Sequence, residues 1–151
     1  MNDLLWLFLV LTLLLPVAGW LYQSIGTWRD RRRYVCRGRM VEVGRGRRVY
    51  VHEMAPENGD GRELPVVVFE SGIGNSCQNW LHIQRRMAEY ARTVSYDRAG
   101  LGWSDASEGT RTPTNLAREL RETLKAAGVD GPYVVVAHSF GGTVARRFAA
   151  E

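Results

Sequence analysis

The sequence is short of the residues that build metal centres and disulfide frameworks. Its 151 residues include two cysteines and three histidines. Cys36 and Cys77 fit no metal-ligand or redox spacing, so a metal site, a disulfide scaffold and a thioredoxin-type centre all lack a motif. Two idle thiols in a reduced compartment are the simpler expectation. There is no internal repeat and no tract of disordered composition, which excludes solenoids and tails. A broad basic surface is missing too, although the net charge is +4 and the pI 9.4. Between Arg29 and Arg48, nine arginines stand against Asp30 and Glu42, a net of +7, so the remainder of the chain carries −3. A charge packed into one short stretch is no nucleic-acid footprint, and no nucleic-acid partner is expected. What is present is ordinary globular composition, 45% hydrophobic and 24% charged, with room for one domain.

The ends of the chain differ in kind. Leu4 to Tyr22 has no charged side chain, is dominated by leucine, and carries Trp6 and Trp20 near its two ends. That length crosses a bilayer as a helix, with the aromatic rings at interfacial depth. Residues 1–28 are therefore read as a membrane anchor and 29–39 as a basic juxtamembrane linker. Arg29, Arg31, Arg32 and Arg33 follow the span and, by the positive-inside rule, keep the rest of the chain cytoplasmic. A cleaved signal peptide is the rival reading. Pro16-Val17-Ala18-Gly19 offers a cleavage site, but the start carries Asp3 and no basic residue.

Beyond the linker the patterns alternate. Met40–Val43 and Arg48–Val51 switch between apolar and polar residues around Gly44-Arg45-Gly46, which predicts a hairpin. Residues 56–61, PENGDG, form a turn cluster. Pro65–Phe69 predicts a buried strand ending in Glu70-Ser71-Gly72-Ile73-Gly74, and Trp80, Ile83 and Met87 predict one face of a following helix. Thr93–Tyr96 is the next strand, running into Asp97-Arg98-Ala99-Gly100-Leu101-Gly102-Trp103-Ser104-Asp105. Thr112 and Pro113 open a helix with Leu116, Leu120 and Leu124 on one stripe, and Gly128 suits its C-terminal end. Tyr133–Val136 predicts a strand buried on both faces of a parallel sheet. Val144 and Phe148, with Ala145 and Ala149 beside them, predict the last helix. Strand–helix alternation of this kind implies a parallel sheet with helices on its faces.

Between that last strand and helix lies Ala137-His138-Ser139-Phe140-Gly141. It matches the nucleophile-elbow pattern G-x-S-x-G with Ala for the first Gly. A serine hydroxyl attacks only when it is exposed, aimed and relieved of its proton. A sharp strand-to-helix turn exposes Ser139, and the head of the new helix offers the Phe140 N–H to a developing oxyanion. The plain alternative is a tight turn that contains a serine. A second motif competes: Gly72-Ile73-Gly74-Asn75-Ser76-Cys77 follows a strand and precedes a helix, with Asp97 at the end of the next strand, as in a dinucleotide fingerprint. Cys77 replaces the third glycine and a hairpin precedes the strand, so no cofactor is expected.

Taken together, three segments resemble the α/β-hydrolase superfamily: Glu70–Gly74, Tyr96–Asp105 and Ala137–Gly142. The second is close to the D-R-x-G-x-G-x-S pattern common in that superfamily; in the first, Ser71-Gly72 stands where many members have His-Gly. The resemblance covers about Met40 to Glu151. It implies an α/β-hydrolase fold, incomplete here: an N-terminal hairpin, three parallel strands with helices, and one preceding transmembrane helix. It also implies Ser139 as nucleophile and the Ile73 and Phe140 N–H groups as oxyanion hole. Serine rather than aspartate implies acyl transfer on a small ester-like substrate, with perhydrolysis as a variant.

In that family the triad acid and histidine follow the nucleophile, so both are expected beyond Glu151, and residues 40–151 as an N-terminal part of the domain that is inactive alone. His52, His82 and His138 are not expected to replace the base. Asp97 is expected to brace the glycine-rich loop through backbone N–H groups, and Asp105 to be solvated or a loop cap. A membrane-tethered, non-catalytic module that keeps the fold for partner binding is the alternative.

Overall fold

A computed structural model describes residues 2–33, 38–44, 46–56 and 64–150. Cys36, Arg45 and most of the 56–61 turn cluster lie outside them. The chain forms two units, residues 1–36 and 37–151.

The first unit is the helix α1, Asn2–Arg33. Its apolar side chains are exposed along its length, and Asp3–Asp30 is long and apolar enough to cross a membrane. At 1.5 Å per residue, the uncharged stretch alone covers roughly 28 Å, close to the hydrocarbon thickness of a bilayer. A signal sequence has the same character.

The second unit contains β1 (Arg39–Glu42), β2 (Arg48–Met54), β3 (Val66–Glu70), a 3-10 turn at Cys77–Trp80, α2 (Leu81–Met87), β4 (Thr93–Tyr96), α3 (Pro113–Ala126), β5 (Tyr133–Ala137) and α4 (Gly141–Ala149). Among the described residues the strands form one sheet in the order β1-β2-β4-β3-β5. The β1/β2 and β2/β4 pairs are antiparallel, and β4/β3 and β3/β5 are parallel. The predicted hairpin and three parallel strands are thus all present. β2 runs three residues past its predicted end, to Met54, because Val51–Met54 pairs with β4 from Tyr96 back to Thr93.

Alternation along β3 sorts the core into two layers. Val66 and Val68 face Leu120, Leu124 and Val129 of the α3 layer. Val67 and Phe69 face Trp80 on the other side, where Met87 of α2 joins them. α3 starts as its sequence dictates: the Thr112 hydroxyl accepts the Asn115 N–H at 3.3 Å and Pro113 occupies the first turn, where its missing N–H costs nothing. Its stripe Leu116, Ala117, Leu120, Leu124 is buried, and Leu116 and Ala117 meet Val144 of α4.

Two predictions fail on facing. The helix after β3 buries Trp80 and Gln84, while Ile83 is exposed; the 3-10 turn that opens this segment shifts the inward stripe, and Gln84 is drawn in by polar partners on β2 and β4. β5 is not buried on both faces. Tyr133 and Val135 pack on the α3 layer, but Val134 and Val136 are 48% and 36% exposed. Val134 sits opposite Val67, so it points to the α2 side, yet β5 is the edge of the described sheet and is only partly covered on that side.

Candidate active site

Three loops leave the C-terminal ends of the adjacent parallel strands β4, β3 and β5, where sites in such sheets are found. The one after β5 is the elbow. Ser139 has φ 53°, and among the described residues it is the one non-glycine residue with positive φ. That left-handed turn costs a residue with a Cβ about 1–2 kcal/mol and leaves the serine exposed at the head of α4. Gly141 makes the turn possible. A Cβ there would stand 2.6 Å from both the Glu70 and the Ser71 carbonyl oxygens, so only glycine lets α4 begin against the end of β3. The His138 N–H donates to the Glu70 carbonyl at 3.1 Å and fastens the two loops together.

The loop after β3 carries Ile73, which is exposed, and the His138 ring packs over Gly72 beside it. Ile73 and Phe140 line one cavity of about 350 Å³, together with Ala99, Leu101 and Leu116. Among the described residues, neither the Ile73 N–H nor the Phe140 N–H donates to a backbone carbonyl. Underneath, the Ser71 hydroxyl accepts the Trp80 indole N–H at 2.9 Å and donates to the Ser76 carbonyl at 3.3 Å.

The loop after β4 is held as predicted. Asp97 is buried; its Oδ1 accepts the Cys77 N–H at 2.7 Å, its Oδ2 the Trp103 N–H at 3.0 Å, and its carbonyl the Ser104 hydroxyl at 2.6 Å. Asp105 closes the far end on β2. The Arg48 backbone N–H, and then its guanidinium, hold that carboxyl below its usual range.

Sequence reasoning passed over a buried ionic cluster beneath these loops. Glu70 is fully buried at the end of β3, where it accepts the Tyr96 hydroxyl, and its Oε1 stands 3.4 Å from Nη1 of buried Arg98. Arg98 also donates to the Gly72 carbonyl, and its guanidinium lies 5.5 Å from the centre of the Phe140 ring. Burial pushes the Glu70 carboxyl up to about 7, against the downward pull of the Tyr96 hydroxyl and the Arg98 charge. Burial, followed by the charge of Glu70, raises the Tyr96 phenol well above its ordinary value. The available signal was an acid closing the apolar run Val66–Phe69, with an arginine in the loop that ends the neighbouring strand.

The histidines are placed elsewhere. His52 is buried and its Nδ1 meets Gln84 Oε1 at 3.2 Å; His82 is exposed on α2. Among the described residues no histidine is hydrogen-bonded to Ser139, and no cluster of His, Cys, Asp and Glu could hold a metal ion.

Residues 65–151, more than half of the chain and all three of these loops, match the family described as the alpha/beta hydrolase fold. The chain belongs to that family. It is 36% identical over 85 residues to the uncharacterized protein YqjL of Bacillus subtilis, a match covering 56% of this chain and 34% of that one. Over 88 residues it is 36% identical to an AB hydrolase superfamily protein of Gibberella zeae, covering 58% of this chain and 27% of the relative. Among solved structures, the epoxide hydrolase VrEH1 from Vigna radiata superposes with a TM-score of 0.62 at 28% identity, covering 75% of this chain and 35% of the other. The chain thus spans 34% and 27% of the length of these two curated relatives. Within the family's frame, β1 and β2 both precede the matched region, and the elbow and both glycine-rich loops fall inside it.

Proposed function

We propose that the protein is the N-terminal part of a serine hydrolase of the α/β-hydrolase family that works by acyl transfer through Ser139. The observation that carries this reading is the conformation of Ser139, a left-handed serine exposed at the head of α4. Strain of this kind persists where the surroundings enforce it, and here Gly141 and the His138–Glu70 bond do so. The Ser139 hydroxyl attacks an ester-type carbonyl and passes its proton to a general base. The carbonyl oxygen becomes an oxyanion, received by the Ile73 and Phe140 N–H groups. The alcohol leaves with a proton, and water then releases the acyl group from Ser139. A serine at this position favours ester-type substrates over the chemistry named for the epoxide hydrolase relative, since similar folds open epoxides with an aspartate there. α1 is the membrane anchor, with the hydrolase unit on the cytoplasmic side; a signal peptide is the competing role for α1.

The test uses the full-length gene product. A fluorophosphonate should label Ser139, and Ser139→Ala should abolish both labelling and hydrolysis of p-nitrophenyl acetate, since loss of a nucleophile costs several orders of magnitude. Labelling at another serine, or unchanged turnover, refutes the assignment. The alternative reading is a membrane-tethered binding module that keeps the fold. Lack of any serine labelling in the full-length product would support it.

A further inference from the structure

The buried Glu70–Arg98–Tyr96 cluster is costly to build, and the reading of Ser139 as nucleophile does not by itself use it. Two charged side chains removed from water need each other and further hydrogen bonds to be tolerated. Glu70 Oε1 and Arg98 Nη1 face each other at 3.4 Å, and among the described residues neither atom has a hydrogen-bond partner. The other end of the guanidinium is committed: Nη2 donates to the Gly72 carbonyl, which also accepts the Asn75 N–H at 3.3 Å.

That carbonyl belongs to the same peptide unit as the Ile73 N–H. A trans peptide is planar, with its C=O and N–H pointing in opposite directions. Fixing the Gly72 oxygen therefore fixes the direction of the Ile73 N–H. Glycines on both sides of Ile73 would otherwise let this plane rotate.

We propose that Arg98 is a positioning residue for the oxyanion site. Braced by Glu70, it locks the Gly72–Ile73 peptide plane so that the Ile73 N–H is presented to the cavity shared with Phe140. Tyr96 holds the second Glu70 oxygen and keeps the carboxylate turned to Arg98. The guanidinium lies beside the Phe140 ring, and Arg98 lines the same cavity as Ile73 and Phe140. The inference rests on the acyl-transfer reading, because a peptide plane aimed at no oxyanion needs no such support.

An oxyanion donor acts on the transition state and leaves ground-state binding almost untouched. In the full-length gene product, Arg98→Met should therefore lower kcat for p-nitrophenyl acetate by about 10²-fold, the loss typical of one misplaced oxyanion donor, with KM nearly unchanged. Arg98→Lys, which retains a donor but not the fork, should recover part of it. Arg98→Met alone strands a buried carboxylate and could unfold the domain. The double variant Glu70→Gln/Arg98→Met removes both charges at once, a replacement that buried pairs generally tolerate, and should show the same kcat loss in a folded protein.

Labelling of wild-type Ser139 by a fluorophosphonate separates the two levels. If wild-type Ser139 is not labelled, the functional reading fails and this inference falls with it. If it is labelled, three results overturn the inference alone: a folded double variant with wild-type kcat, a loss confined to KM, or a double variant that does not fold. The last would make the pair a structural requirement of the core.

Discussion

Asp97 offers the most direct test of how the loops are held. Its carboxylate accepts the Cys77 and Trp103 N–H groups at 2.7 and 3.0 Å, joining the segments after β3 and β4. Asp97→Ala removes both charge-assisted bonds, one from each N–H group. At about 1–3 kcal/mol per group, the cost should be roughly 2–6 kcal/mol. Asp97→Asn retains one acceptor oxygen but turns an NH₂ toward the other N–H, for about 1.5–3 kcal/mol. Gly102 supplies an internal control. It has φ +53°, and a Cβ there would lie 2.0 Å from Asp97 Oδ2. In the wild-type background Gly102→Ala must displace the carboxylate and also bear left-handed strain. In the Asp97→Ala background the obstacle is gone and only the strain remains, about 1–2 kcal/mol. The double-mutant cycle should therefore show strong coupling between sites 97 and 102. Urea titration read by pulse proteolysis reports on the globular unit whatever the state of α1. Additive costs for the two substitutions would refute the reasoning.

Three further outcomes are expected. Glu70 has a folded-state pKa of about 7, raised above its ordinary 4.5, so its stabilising contribution is complete below about pH 4.5 and is lost as pH rises through 7. Across that window wild type should lose roughly 3 kcal/mol relative to Glu70→Gln, and a difference in stability independent of pH between 4 and 8 would contradict the burial argument. Residues 40–151 made alone should oligomerise through the apolar edge at Val134 and Val136 and lack esterase activity, whereas Val134→Lys should shift size-exclusion profiles toward monomer; a monodisperse wild-type fragment would count against the edge argument. Protease protection in sealed vesicles should place residues after Arg33 on the cytoplasmic side, and a mature N-terminus near Trp20 would instead identify α1 as a signal peptide.

Local rules were enough for much of this protein. Period-two and period-3.6 patterns, a threonine cap, Pro113 and the glycine punctuation specify the elements, because each depends on residues only a few positions apart. β1 to β5, the Leu116–Leu120–Leu124 stripe and the loop-bracing role of Asp97 were legible for that reason. The elbow was legible as well, since small residues around Ser139 announce a turn that a larger side chain would block. Facing was harder to read. Whether Val134 and Val136 are buried depends on what lies across the sheet, and the run Tyr133–Val136 reads the same at a sheet's centre and at its edge. Gln84 turns inward and Ile83 outward because His52, Thr93 and Ser95 on two other strands provide hydrogen-bond partners for a buried amide. The ion pair of Glu70 and Arg98 is the clearest case. The two residues are 28 positions apart and no local pattern links them. Only the parallel pairing of β3 with β4 brings their strand ends together, and only burial there makes the charge of one depend on the other.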